Sequence, residues 1–173
     1  HRIEHIEVIH PTDIPRLAAL DIVASVQPGH APTGHIFPPG AVGQYLHEDQ
    51  IEGAYAWQSM RSAGVNVVFS TDWPVIPVDV MPNIKAAIAP LRLGEMWPDQ
   101  TQTLQDTLAS YTRDNAWVAF READLGMLRA GMTADVAIMN CDLTTLAAQD
   151  ITQARAEVTI MDGTITFERS AQP

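Results

Sequence analysis

Cysteine is nearly absent: Cys141 is the only one in 173 residues. An intrachain disulfide and a multi-thiolate metal site are therefore excluded. No apolar run approaches the length of about 20 residues that a membrane-spanning helix needs, and the N-terminus lacks the basic-then-apolar layout of a signal peptide. Positive charge is scarce, with Lys and Arg totalling 10 against 21 for Asp and Glu, a formal net charge of −11. Nucleic acid and anionic membrane are thereby disfavoured as partners, because both call for a basic surface. There is no Gly-rich phosphate loop, no Gly-x-Ser-x-Gly elbow and no His-Glu-x-x-His, so nucleotide binding, serine hydrolysis and zinc-protease chemistry lack their usual motifs. An initiator methionine is missing too. The chain opens on His1-Arg2-Ile3-Glu4-His5, which reads as the middle of a longer protein, with a reducing cytoplasm as the expected compartment.

What is present suffices for a core, since 46% of the residues are hydrophobic. Arg2 to Ile9 is strand-like and ends at Pro11, a short helix fits between Asp13 and Leu20, and Ile22 to Val26 is a compact run of buried-strand character. Gln27 to Gly43 carries eight Pro and Gly residues and reads as a long loop, a length usually tied to function. A helix is expected from Glu48 to Ala63, stopped by Gly64, followed by an apolar strand from Val65 to Ser70 that belongs in a parallel sheet covered on both faces. Five prolines between Pro74 and Pro98 predict an irregular excursion with a short helix around Ile84 to Ala89. A longer helix starts near Thr103 and runs to about Phe120, with Leu104, Leu108, Tyr111 and Val118 on one face. Gly126 and Gly131 bracket a turn region. Beyond it, Asp135 to Met139, Glu157 to Met161 and Thr164 to Glu168 read as antiparallel strands, the last two joined by an Asp162-Gly163 hairpin. No internal repeat or low-complexity segment is evident.

Five positions could carry chemistry. Asp72 stands two residues past an apolar parallel strand, where alternating strand-helix folds place catalytic groups; position alone leaves a turn-capping Asp equally open. His5, between Glu4 and Glu7, could bind zinc through a neutral imidazole. Taken singly, such a histidine is more often a hydrogen-bonded structural residue, and His1 and His10 compete for the same assignment. His30 could contact substrate from the Pro/Gly loop, as could His35, although exposed loop histidines often have no role. Trp73 could line a pocket or pack in the core. His47 reads as surface.

In order, His1-Arg2-Ile3-Glu4-His5, Ser25-Val26-Gln27-Pro28-Gly29-His30, Ser70-Thr71-Asp72-Trp73-Pro74-Val75 and Gly126 to Val136 resemble the metal-dependent amidohydrolase superfamily, in its YtcJ-like branch with the N-substituted formamide deformylases. The resemblance implies an α/β fold: the last three strand-helix units (strands 6 to 8) of a (β/α)₈ barrel over residues 1–122, then part of a small β-sandwich over 123–173. It implies a divalent metal, zinc foremost, with one or two ions in the intact protein, bound by His5 and Asp72. Asp72 also matches the family's proton-handling aspartate; His30 and Trp73 are expected as substrate contacts from their positions alone, in the Pro/Gly loop and beside Asp72. The implied activity is hydrolysis of an amide, formamide or cyclic amide by metal-activated water. Implied partners are a small-molecule amide and the rest of the same protein, with a homodimer left open.

The family's first-strand His-x-His pair, its fourth-strand bridging residue and its fifth-strand histidine fall outside these residues. Three strands cannot close a barrel of eight, so a fragment inactive by itself is expected. The alternative is a metal-free relative used for binding, or a remnant.

Overall fold

The computed structural model of the chain describes residues 1–32 and 45–170. His35 and most of the Pro/Gly-rich stretch lie outside them. Three short strands, β1 (Arg2–Glu4), β2 (Val23–Val26) and β3 (Val67–Phe69), form a parallel sheet in that order. Glu4 pairs with Ser25, and Val26 with Phe69, so the three strands end at nearly the same level. Strands β2 and β3 are buried throughout, as their continuous apolar runs require of a sheet covered on both faces, whereas β1 is an exposed edge.

Helix α1 (Ile14–Ala19) connects β1 to β2 and buries Ile14 and Leu17. Between β2 and β3 come α2 (Glu48–Ile51) and α3 (Trp57–Ser62). Single helices were expected over 48–63 and over 103–120; the structure breaks both. At the first break, Ile9 donates to the Gly53 carbonyl, Tyr55 donates to the Glu7 carbonyl, and Val8 bridges Ala54 in antiparallel fashion. These long-range bonds within the chain take the place of helical ones, and Gly53 permits the approach: a Cβ there would fall 1.8 Å from the Ile9 carbonyl oxygen. The second helix is divided at Thr112 (φ −126°, ψ −89°) into α5 (Leu104–Tyr111) and α6 (Arg113–Val118). There Asn115 donates to both the Phe69 and Ser110 carbonyls, and Ser110 Oγ to the Val67 carbonyl, which ties the break to β3.

Helix α4 (Met81–Ile88) starts earlier than the proline pattern suggests, because Pro82 occupies the first turn, where its missing N–H costs nothing. Thr103 caps α5, accepting from the Asp106 N–H at 3.0 Å. The main core joins Leu17, Ala24, Val26, Trp57, Met60, Val67 and Phe69. A second cluster sets Met81, Ile84 and Ile88 against Ile151 and Ala154, and so anchors the chain beyond the turn region to α4. The remaining strands, β4 (Val136–Met139), β5 (Ala156–Met161) and β6 (Thr164–Glu168), form an antiparallel sheet. Asp162 (φ 49°) and Gly163 (φ 75°) supply the two left-handed residues of the expected hairpin turn.

Candidate metal centre

Immediately beyond the C-terminal ends of β1, β2 and β3 stand His5, His30 and Asp72. One ligand atom from each lies within 4.8 Å of the other two. His5 follows β1 directly, its N–H held by the Ser25 carbonyl at 2.8 Å. His30 closes a 3₁₀ turn, Pro28–His30, that leaves β2. Asp72 comes three residues after β3. His5 (φ 72°), Ile6 (φ 49°) and Asp72 (φ 55°) all adopt left-handed backbone. For a β-branched residue such as Ile6 this is a genuine outlier, costing on the order of 1–3 kcal/mol, and such strain concentrates at functional sites.

Within the cluster His30 Nε2 is 3.6 Å and His5 Nδ1 3.9 Å from Asp72 Oδ2. The two imidazoles stack, with ring centroids 5.8 Å apart and planes inclined by 18°. His30 is buried, its side chain 7% exposed, while His5 and Asp72 open toward solvent. Gln27, itself buried, links the parts: its Oε1 lies 3.0 Å from His5 Nδ1 and its amide donates to Ser70 Oγ at 2.8 Å. An amide oxygen only accepts, so in a neutral His5 ring this contact puts the proton on Nδ1 and the lone pair on Nε2. Glu7 Oε1 lies 3.0 Å from His30 Nδ1. Tyr55, bonded through its backbone to Glu7, has its phenol pushed up to about 12 by burial and by the Glu7 carboxylate, which keeps it neutral.

The donor set suits a divalent ion. Ligand atoms about 2.0–2.2 Å from one tetrahedral centre lie roughly 3.4 Å from each other, close to the 3.6 Å between His30 Nε2 and Asp72 Oδ2.

Sequence reasoning singled out His5 and Asp72 for this role, and the structure brings them together. It adds His30, expected as a substrate contact, to the same cluster. Trp73 is 67% exposed in the turn after Asp72, so it is not core. The competing histidines stand elsewhere: His10 bonds Thr12 at 2.8 Å beside the turn it caps, and His1 lines a surface hollow with Arg2, Asp21 and Trp117. His47 is exposed and its N–H is bonded to Gln50 Oε1 at the start of α2. Glu7 stood out only as a neighbour of His5, and Gln27 only as a member of the Ser25 to His30 motif; their spacing gave no sign of contact across 23 and 22 positions.

The model of the Amidohydrolase family matches residues 1–167. The chain belongs to this family. It is 27% identical to the N-substituted formamide deformylase of Arthrobacter pascens, an alignment covering 98% of the chain and 31% of that enzyme. It is 24% identical to the Bacillus subtilis (strain 168) protein YtcJ, named as an amidohydrolase, over 98% of the chain and 32% of YtcJ. Among solved structures, a metal-dependent hydrolase from Pyrococcus furiosus superposes with a TM-score of 0.65 at 27% identity, over 77% of the chain and 26% of its own. This amidohydrolase chain thus spans about a quarter to a third of the length of the curated relatives it matches.

Proposed function

We propose that this chain supplies the metal-binding and proton-transferring wall of a C–N bond hydrolase. β1, β2 and β3 then correspond to the last three strands of a (β/α)₈ barrel, and the antiparallel strands to part of a β-sandwich. The observation that carries the reading is the convergence of one donor atom each from His5, His30 and Asp72, at the ends of three adjacent parallel strands. Two imidazoles and a carboxylate with room for a further ligand match the pattern of catalytic zinc.

When bound, such an ion supplies Lewis acidity, polarising a carbonyl and lowering the pKa of water from about 15.7 toward about 7. The chain's own residues do the rest. Asp72 accepts a proton from the attacking water as its oxygen bonds to the carbonyl carbon. It then returns the proton to the nitrogen as the C–N bond breaks, leaving a carboxylic acid and an amine. His30, held from the buried side, and His5, held by Gln27, keep their rings in place. The left-handed backbone at Asp72 turns its carboxylate back over the strand ends. Trp73, adjacent in sequence and 67% exposed, is in this reading the contact for the apolar substituent of an N-substituted amide.

The test is turnover of a simple N-substituted formamide by the intact protein that contains this chain. Dialysis against a chelator is expected to abolish turnover, and stoichiometric zinc to restore it. Turnover that survives removal of every divalent ion contradicts the reading, and a protein that binds neither zinc nor activates water would be the metal-free relative instead.

A further inference from the structure

Glu7 takes no part in the ligand cluster or the proton transfer, yet it is held as firmly as the residues that do. Its carbonyl accepts from Tyr55 N–H at 2.8 Å and Ile9 N–H donates to the Gly53 carbonyl at 3.0 Å, the two bonds that make the antiparallel bridge of Val8 to Ala54. The two left-handed residues before it, His5 and Ile6, carry the chain off the line of β1. The carboxylate meets His30 there, at 3.0 Å from Nδ1.

We propose that Glu7 is a positioning residue that fixes the tautomer and orientation of His30, so that its Nε2 lone pair faces Asp72. This rests on the metal-centre reading above. An ionised carboxylate can only accept, so the proton of a neutral His30 ring resides on Nδ1. The opposite nitrogen, Nε2, is then unprotonated, and it is the one that lies 3.6 Å from Asp72 Oδ2. Histidines that bind metals characteristically donate their other N–H to a carboxylate or carbonyl, which sets the ring and raises its basicity.

A surface ion pair is the plain rival, because the Glu7 side chain is 49% exposed. Two features speak against it. The partner imidazole is buried, so water does not compete freely for its nitrogen, and its ring is already ordered by packing, so only the Glu7 side chain has rotamer freedom to lose.

Zinc affinity of the intact protein, by competition with a chelating dye, and the ¹⁵N imidazole spectrum of the zinc-free form test this together. Glu7→Ala is expected to weaken zinc binding about 10- to 100-fold, while Glu7→Gln, which keeps an acceptor oxygen, recovers most of the loss. In the spectrum, with His30 assigned by its disappearance in His30→Gln, the wild type should show the Nδ1–H tautomer and Glu7→Ala a mixture. If Asp72→Ala loses zinc and Glu7→Ala does not, the role of Glu7 is overturned while the metal centre stands. If the wild type binds no zinc, the metal-centre reading fails. A wild-type His30 protonated on Nε2 overturns the role of Glu7 whatever zinc does, and needs no variant to fold.

Discussion

Asp72 is asked to carry a proton in both directions, which separates it from residues that merely hold a ligand. Asp72→Asn keeps an oxygen and the size of the side chain but cannot accept a proton. Turnover is expected to fall about 10²- to 10⁴-fold, the usual contribution of a positioned acid–base group, with the melting temperature within a few degrees of wild type; unchanged turnover would contradict the assignment. Elsewhere, Tyr111 Oη is buried and, among the described residues, has no hydrogen-bond partner. Burial also drives its ionisation far above the ordinary phenol range. Since an unsatisfied buried hydroxyl costs about 1–3 kcal/mol, Tyr111→Phe should leave the urea midpoint unchanged or raise it, and a clear fall would reveal an unseen partner. Asp72 stood out in the sequence by its place after an apolar strand, whereas His5 fell inside the strand expected over Arg2 to Ile9. The structure ends that strand at Glu4, where His5 turns left-handed, and so leaves His5 at a strand end. His30 was legible only as a loop histidine, because its place depends on how β2 ends and on a carboxylate 23 positions away, and neither has a local signal.

The elements show where local pattern gives way to tertiary contact. The hydrophobic period over 48–63 and over 103–120 is helical, and most of those residues are indeed in helices. No propensity marks the breaks, because long-range hydrogen bonds within the chain make them. Gly53 is the exception, and its role is testable. Gly53→Ala would push a methyl group into the Ile9 carbonyl, displacing the Val8–Ala54 bridge and with it Glu7. The expected result is loss of zinc affinity together with a destabilisation of more than about 2 kcal/mol by urea unfolding. Gly126 and Gly131 offer an internal comparison. Both have φ near 90°, but a Cβ at Gly126 would come within 2.8 Å of Ala116 Cβ and Arg113 Cα, whereas one at Gly131 meets nothing within 4 Å. Gly131→Ala should cost about 1–2 kcal/mol for left-handed strain alone, and Gly126→Ala clearly more. Equal costs would show that the packing of Gly126 against α6 contributes nothing.

Seen whole, the molecule exposes apolar surface on two sheets. Ile3 and Val8 stand out around the β1 edge, and Ile138, Met161, Ile165 and Phe167 are exposed on the antiparallel sheet. A strand edge without an outer partner among the described residues, together with exposed apolar side chains, favours association. Expressed by itself, the 173-residue chain is expected to elute from a sizing column ahead of a monomer despite its charge of −11; a monodisperse monomer at high concentration would contradict this. Alternating strands and helices followed by an antiparallel tail were readable from periodicity and the Asp-Gly turn. What covers the exposed faces was not, because exposure is a property of the folded surface rather than of any segment. The convergence of the three strand ends on one ion is tested most directly by anomalous diffraction at the zinc edge from crystals of the intact protein. The account predicts a peak about 2.0–2.2 Å from one atom each of His5, His30 and Asp72. A zinc-loaded crystal with no peak there, or with a peak that leaves His30 unliganded, would contradict it.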